Sequence, residues 1–258
     1  NALTKIKENS KPDAIINSWW DFGHWFKYIA DRRVTLDGSS QNHPQLHWLG
    51  KLLLTPDEKE AVGILRMLDC GGNRAFNAIN KIKNNTPRSI KLLNKLVLVK
   101  NRNEAKGMLI NEGFSKEESK KVINYSHCEP PEDFLIASED MIGKSGVWAH
   151  FGSWNFDRAW MQQTFKKNND DAKVMRMFMD EFNYSRETAA SYYSEIKELK
   201  SESDVNAWIS PWPGYIGRES CQRTSNIVGC PLQQGFVEIN LNSMDASIPT
   251  SEGIKKPA

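Results

Sequence analysis

Trp19, Trp20 and Asp21 place two indole donors and one carboxylate acceptor in consecutive positions. A hydroxyl group carries one donor and two acceptor lone pairs, whereas an indole N–H only donates and a carboxylate only accepts. Two indoles and one carboxylate can therefore saturate one hydroxyl. Such a group would favour Ser or Thr over an apolar side chain of the same shape. The alternative is structural: the tryptophans belong to the core and Asp21 caps the next helix.

A second group of candidate residues lies in the stretch 140–148, DMIGKSGVW. Asp140 and Lys144 stand four residues apart, in the acidic-first order that favours an ion pair on a helix. The pair is either an ordinary surface ion pair or a fixed ammonium group beside a site. The stretch does not fit a phosphate-binding loop, because that motif needs a glycine where Ser138 stands and Glu139 adds negative charge.

Three other features of the sequence could be functional, but each also has a competing structural explanation. His43 and His47 have a metal-like i, i+4 spacing, but no acidic or cysteine ligand stands beside them. The segment 81–106 holds eight basic side chains and one acidic one, which suits nucleic acid, an anionic membrane surface or a solvated helix face. The nine tryptophans could stack on sugars, although a core position explains most of them.

Short elements must position the first motif. The apolar residues 14–16 predict a buried strand just before Trp19, and bulky residues at helical spacing predict a helix over 24–30. Residues 33–36, followed by an Asp-Gly turn, predict a second strand. The sequence therefore opens with a βαβ-like unit.

The rest of the chain predicts an α+β fold. We expect a polar linker over 1–12, a mainly helical central core over 13–200 and a β-rich insertion over 201–258. Residues 134–136 and the alternation over 236–241 predict strands. Helices are predicted after an N-cap at Thr55, over 73–83 and 88–99, after a Ser115–Glu118 capping box, from Ser138 through Trp148, and over 185–199. Gly143 and Gly146 should weaken or kink the helix that begins after Ser138.

Composition narrows the class of protein. The 258 residues are 39% hydrophobic and 26% charged, with a formal net charge of +2, which is ordinary for a globular domain. No apolar run approaches the roughly 18–20 residues of a membrane-spanning helix. Cys221 and Cys230 bracket a turn-rich segment whose length suits a disulfide, and a bridge there would indicate an oxidising, extracytoplasmic place. The alternative is two unpaired thiols in a cytosolic protein. Cys70 and Cys128 could also pair, but the sequence does not decide this.

The stretch 18–23, SWWDFG, resembles the W-W-D-[YF]-G signature of the oligosaccharyltransferase catalytic subunit, and the flanking AIIN and RRVTLDG fit that family too. The stretch 140–148 is similar to the family's Asp/Lys motif on a kinked helix, in the version with one extra residue between the two. GILRMLDCGGNRAF, VWAHFGSWNF and WISPWPGYIG look archaeal in type. The resemblance covers about residues 13–250.

This family transfers a lipid-linked oligosaccharide to asparagine in N-x-S/T sequons. The resemblance implies that Trp19, Trp20 and Asp21 bind the Ser/Thr hydroxyl at sequon position +2, and that Lys144 lies beside that pocket. Phe22 stands where tyrosine is commoner in the signature. The other positions that the two motifs imply as supporting are Phe22, Gly23, Asp140, Met141 and Trp148.

The resemblance places the catalytic apparatus outside this sequence. A Mn²⁺ or Mg²⁺ ion would be held by acidic residues and a histidine of a multi-span membrane domain, where the lipid-linked oligosaccharide also docks. We therefore expect no catalytic residue, metal ligand or cofactor in this chain. The Asn1 start and the incomplete β-rich end indicate a C-terminal globular domain truncated at both ends and inactive by itself.

The partners implied are the acceptor polypeptide and the protein's own transmembrane domain, with no nucleic acid. The expected location is the cell membrane, with this domain on the extracytoplasmic face. The alternative hypothesis is an extracytoplasmic carbohydrate- or nucleic-acid-binding module without catalytic activity.

Overall fold

The computed structural model describes residues 2–41, 43–211, 222–232, 235–243, 245–250 and 253–255. They divide into two compact units, one with the described residues of 1–138 and 147–211, the other with those of 139–146 and 212–258. The first unit is mainly helical around a small parallel sheet, and the second carries an antiparallel sheet. The predicted α+β class is confirmed.

The helices and strands follow in chain order. The helices in the described part of the chain are α1 (Ala2–Asn9), α2 (Gly23–Ala30), α3 (Gln45–Leu54), α4 (Glu58–Gly71), α5 (Arg74–Lys83), α6 (Thr86–Val97), α7 (Arg102–Asn111), α8 (Lys116–Ser126), α9 (Glu139–Gly143), α10 (Ser145–Gly152), α11 (Phe156–Lys167), α12 (Asp171–Phe182), α13 (Arg186–Glu198) and α14 (Glu202–Ile209). The strands there are β1 (Ile15–Asn17), β2 (Arg33–Val34), β3 (Asp133–Leu135), β4 (Gln222–Thr224), β5 (Ile227–Leu232), β6 (Gly235–Asn240), β7 (Ala246–Thr250) and β8 (Gly253–Lys255). None of these helices combines the length and the apolar character that crossing a membrane requires.

The parallel sheet has the strand order β2-β1-β3. Ile15 of the central strand pairs with Arg33 of β2 and with Asp133 of β3. All three residues of β1 are buried, and Ile16 packs against Phe26 and Ala30 of helix α2. The βαβ-like opening predicted from the sequence is thus present, and β3 extends it on the other side.

Residues 2–9, inside the segment predicted to be a polar linker, form helix α1. Leu3 and Ile6 of this helix pack against the cluster formed by Ile16, Phe26 and Ala30. A few apolar side chains at helical spacing are enough to attach a mostly polar segment to a core.

The predicted helix starts are right at one cap and wrong at another. Ser115 and Glu118 form the predicted capping box of α8. Helix α4 is capped by Asp57, whose side chain accepts from the Lys59 N–H at 2.9 Å, and not by Thr55. The Thr55 hydroxyl instead donates to the Glu60 carboxylate at 2.6 Å.

The helix predicted from Ser138 through Trp148 is two helices, α9 and α10, which meet at Lys144. Gly143 and Gly146 flank this break. Glycine costs roughly 1 kcal/mol relative to alanine in a helix interior, so two glycines this close favour an interruption over a kink.

A disulfide joins Cys70 at the end of α4 to Cys128 after α8, 58 residues further along the chain. The sequence left this pairing open. Cys221, one half of the bridge predicted from the sequence, lies outside the described residues.

The second unit contains the strand meander β4-β5-β6-β7-β8. Neighbouring strands pair antiparallel, for example Val228 with Ile239 and Ile239 with Ala246. Helix α14, which falls within the predicted β-rich segment, belongs to the first unit.

Candidate functional site

The Trp-Trp-Asp motif directly follows the carboxyl end of β1, the central strand of the parallel sheet. Residues Trp20–Phe22 form one turn of 3-10 helix, and α2 begins at Gly23. The carboxyl end of a strand in a parallel sheet is the usual position for ligand-binding residues in open α/β structures. The motif therefore lies where the fold favours a binding site.

Trp19 belongs to the core and carries a buried polar atom. Its side chain is 2% exposed, and its ring lies 6.1 Å from that of Phe151. The indole Nε1 is buried and has no hydrogen-bond partner among the described residues. A buried donor without an acceptor costs about 1–3 kcal/mol, so this tryptophan does more than fill space.

Trp20 and Asp21 are half-buried. The alternative in which Asp21 is the N-cap of the following helix is wrong, because the N-cap position of α2 is Phe22.

Gly23 explains the glycine of the motif. A Cβ at this position would lie 2.2 Å from the Leu36 carbonyl oxygen and 2.6 Å from the Asp37 Cβ. The start of α2 and the loop after β2 therefore approach more closely than any side chain allows. This contact fixes the position of the Trp-Trp-Asp turn relative to the loop after β2.

The loop after β2 is itself held by Asp37, which is 5% exposed. Its carboxylate accepts hydrogen bonds from Lys27 Nζ and from the Ser39 N–H and hydroxyl. The bond from Lys27 above all, then those from Ser39, hold the pKa of Asp37 far below its usual value. Asp37 is therefore charged at every working pH and ties helix α2 to this loop.

Asn17 and Ser18 anchor the motif on the opposite side. The Asn17 amide Nδ2 donates to Asp69 Oδ1 at 3.0 Å, and the Ser18 hydroxyl donates to the Ile136 carbonyl at 2.8 Å. Burial, together with the neighbouring Asp133 carboxylate, raises the pKa of the Asp69 carboxyl to about 7. The strand that leads into the motif is thus cross-linked to α4 and to the chain after β3.

The Asp140 and Lys144 motif lies in the second compact unit. Lys144 Nζ stands 3.1 Å from Asp140 Oδ2, which confirms the predicted i, i+4 ion pair. Of the other supporting positions, Met141 is buried, Trp148 on α10 is half-buried and Phe22 is 39% exposed. The roles assigned to these residues from the resemblance remain predictions.

The described residues do not form a site for a divalent metal ion. Within those ranges, no group of three or more His, Cys, Asp or Glu side chains could hold one. His43 and His47 do not have the acidic partners that such a site requires, and the Nδ1 of His47 bonds to the Phe151 carbonyl instead. We therefore derive no chemical step through a metal held by these residues.

Sequence reasoning missed Asp37 and Asn17 as residues that fix the motif. The Asp-Gly turn at 37–38 was a signal for a loop but not for its contact with Gly23. Nothing in the sequence pointed to Asn17 bonding to Asp69, because the two residues are 52 positions apart.

A tryptophan pair and an aspartate at the end of a parallel strand, on a helical scaffold, define the class of this domain. Residues 12–158 match the model of the STT3/PglB/AglB core domain, and the chain belongs to that family. The chain is 39% identical over 160 residues to a dolichyl-phosphooligosaccharide-protein glycotransferase of Methanocaldococcus jannaschii. The aligned stretch is 60% of this chain and 17% of the relative.

Two other relatives give the range of the similarity. A protein of the same name from Methanococcus voltae is 31% identical over 162 residues, which is 60% of this chain and 18% of the relative. The dolichyl-diphosphooligosaccharide–protein glycosyltransferase subunit stt3 of Schizosaccharomyces pombe is 34% identical over 64 residues, 25% of this chain and 8% of the relative. The matched stretch is thus less than a fifth of each relative. No solved structure matches the chain significantly.

Proposed function

We propose that this chain is the acceptor-recognising part of an oligosaccharyltransferase, which transfers a lipid-linked oligosaccharide to asparagine in N-x-S/T sequons. Trp19, Trp20 and Asp21 bind the hydroxyl of the Ser or Thr at position +2. The observation that carries this assignment is the buried indole N–H of Trp19, which has no acceptor among the described residues. A substrate hydroxyl oxygen would supply that acceptor and remove the cost of the buried donor.

The chemistry of the three side chains supports the same assignment. Indoles donate and a carboxylate accepts, so together they complement a hydroxyl but not the methyl group of valine. Sites that hydrogen-bond a substrate hydroxyl reject the analogue without it far more strongly than apolar pockets reject an extra methylene. The family match and the names of the relatives support transfer of an oligosaccharide as the reaction.

The remaining parts of the proposal rest on the resemblance. Lys144, held in its ion pair with Asp140, takes part in recognition of the sequon threonine. The Mn²⁺ or Mg²⁺ ion and the lipid-linked oligosaccharide are bound by the membrane domain of the complete enzyme. This domain then faces the extracytoplasmic side of the membrane.

The basic segment 81–106 gives little support to the alternative of a nucleic-acid-binding module. Several of its cations already contact other helices: Lys83 with Glu112 at 2.9 Å, Arg88 with Glu181 at 2.8 Å and Lys91 with Asp157 at 2.8 Å. Arg102 donates to the His127 carbonyl. Paired cations release few counterions on binding a phosphate backbone, so the segment is better explained as the charged outer face of helices.

Asp21→Asn in the complete enzyme tests the proposal. The readout is kcat/KM for a peptide with N-x-T and for one with N-x-V, neither containing an aromatic residue. Asparagine keeps an acceptor oxygen but loses the charge, and a hydrogen bond to a charged group exceeds a neutral one by about 1–1.5 kcal/mol, so we expect the preference for threonine to fall by about five- to tenfold. Wild-type preference in this variant would refute the assignment.

Asp31→Asn is the matched control. Asp31 ends the same helix α2 in a left-handed conformation (φ 54°), which asparagine also adopts. Its only ion pair in the described part of the chain is an exposed one with Lys7 at 3.7 Å, worth little. The threonine preference should be unchanged.

A further inference from the structure

A cavity of about 440 Å³ lies in the first unit, within the range typical of small-ligand sites. Helices α3, α5 and α6 contribute to its wall, together with the chain between α10 and α11. Gln41, His43 and Pro44 form an exposed rim. The inner wall is mostly aromatic, with Trp48, Phe76, Phe151, Trp154 and Phe156.

A close crossing of α3 and α10 positions two residues of the cavity wall, His47 and Phe151. A Cβ on Gly50 would lie 2.3 Å from the Trp148 carbonyl oxygen and 2.7 Å from the Gly152 nitrogen. The two backbones therefore touch, which brings His47, one turn before Gly50, beside Phe151. His47 Nδ1 lies 2.9 Å from the Phe151 carbonyl oxygen.

This hydrogen bond determines which ring nitrogen of His47 carries the proton. Nδ1 must carry the proton, because a carbonyl oxygen only accepts. Burial lowers the pKa of His47 to about 4, so the ring is neutral at physiological pH and Nε2 is an acceptor. Nε2 is buried without a hydrogen-bond partner among the described residues, and so is Oδ1 of Asn73 in the same wall.

The wall selects an aromatic ligand over a sugar. Each hydroxyl of a hexose would need its own partner on leaving water, at a cost of about 1–3 kcal/mol where none is found. The inner wall offers two acceptors without a partner among the described residues, His47 Nε2 and Asn73 Oδ1, and the other polar side chains, Gln41 and His43, lie at the rim. A flat ring with one N–H or O–H group fits better, because the ring contacts the aromatic side chains and its single donor matches the acceptor on His47.

The cavity also shares a side chain with the Trp-Trp-Asp site. Phe151 lines the cavity and packs on the ring of Trp19 at 6.1 Å. A polypeptide bound at Trp19 and Asp21 is therefore a nearby source of such a ring. Tyrosine and tryptophan are the two residues that combine an aromatic body with a donor at its tip.

We propose that this cavity binds the side chain of a tyrosine or tryptophan that flanks the sequon in the acceptor polypeptide. The proposal rests on the proposed function, since it takes the acceptor to be bound at Trp19–Asp21. His47 accepts the hydrogen bond from the phenol or indole group, and Phe76, Trp154 and Phe156 contact the ring.

The first experiment measures binding of p-cresol and toluene to this chain by NMR titration. We expect p-cresol to bind about three- to tenfold more tightly than toluene, although it is the more polar compound, because it gains one hydrogen bond. In His47→Phe, which keeps an aromatic ring, the two should bind equally. Absence of binding, or equal binding to the wild type, would overturn the proposal.

Ile90→Phe narrows the cavity from α6, where Ile90 is 7% exposed. It should weaken p-cresol binding at least tenfold. Ile110→Phe makes the same change at a 42% exposed position of α7 and should leave the affinity unaltered. Equal affinities in the two variants would place the binding site elsewhere. Thermal unfolding of both variants shows whether each is folded.

The second experiment uses the complete enzyme and a series of N-x-T peptides with tyrosine or alanine at each flanking position. At one position the ratio of kcat/KM, tyrosine over alanine, should be about three to ten, and it should fall to one in Ile90→Phe but not in Ile110→Phe. A ratio of one everywhere overturns the acceptor assignment. The Asp21→Asn test, made with aromatic-free peptides, reports separately on the proposed function.

Discussion

The Cys70–Cys128 disulfide gives a prediction whose size follows from its position in the chain. The bridge closes a loop with a sequence separation of 58 residues, which contains the whole of α5, α6, α7 and α8. In the chain-entropy model, a cross-link that closes a loop of n residues lowers the entropy of the unfolded chain by about 2.1 + 1.5R ln n, in cal/mol/K. For 58 residues this is about 4 kcal/mol at 25 °C. The double variant Cys70→Ser, Cys128→Ser should lose about that much stability.

The variant should still reach the same fold. Arg66 of α4 donates to the Ser126 carbonyl at 3.0 Å and to the Val97 and Val99 carbonyls at 3.1 and 2.9 Å. These contacts hold α4 against the ends of α6 and α8 without the bridge. The loss should therefore appear as a lower free energy of unfolding and not as a missing structure.

Urea unfolding followed by tryptophan fluorescence measures this loss. Eight of the nine tryptophans lie in the first unit, so the signal reports on the unit that contains the bridge. Cys70→Ala, Cys128→Ala is the control for side-chain chemistry, since an equal loss in both double variants assigns the effect to the cross-link. A loss below about 1 kcal/mol in both would refute the reasoning from loop entropy.

Two further predictions concern residues around the motif. Gly23→Ala should destabilise the protein by about 1–3 kcal/mol in thermal unfolding, because its Cβ would overlap the Leu36 carbonyl oxygen. The control is Gly107→Ala in α7, where a Cβ would meet nothing within 4 Å and should stabilise the protein. Equal effects of the two substitutions would contradict the packing argument. The second prediction concerns Asp69, whose pKa burial raises from 3.8 to about 7. The folded state therefore binds this proton more tightly than the unfolded state. The free energy of unfolding should decline by about 4 kcal/mol as the pH rises from about 4 to about 7. Asp69→Asn keeps an acceptor for Asn17 and should remove this decline in urea titrations between pH 5 and 8. If the free energy of unfolding changed with pH in the same way in wild type and variant, Asp69 would not be the cause of the decline.

The features predicted correctly from sequence are local ones. The βαβ-like opening follows from short apolar runs beside a turn, the α8 cap from Ser115 and Glu118 three residues apart, and the Asp140–Lys144 pair from helical spacing. Where two local signals compete, the prediction fails: both Thr55 and Asp57 can cap a helix, and the structure uses Asp57, which accepts from the Lys59 N–H.

The features that the sequence could not predict depend on residues far apart in the chain. Strand β3 joins β1 across more than 100 residues, and the Cys70–Cys128 pairing is one of several that four cysteines allow. The cavity has the same origin. His47 looked like a weak metal ligand because its sequence neighbours carry no information about the Phe151 carbonyl, 104 residues away.

Trp19 shows why a core position and a binding role are compatible in this domain. Its ring fills the core against Phe151, while its Nε1 donor lacks an acceptor in the described part of the chain. A phenylalanine would pack almost as well without the cost of a buried donor, so packing alone does not account for the indole. The same holds for His47, where a phenylalanine could make the contacts with Trp48 and Phe156 but could not accept a hydrogen bond. Each of these two residues keeps a buried polar atom without a hydrogen-bond partner among the described residues, and a ligand hydroxyl or N–H is the group that would supply one.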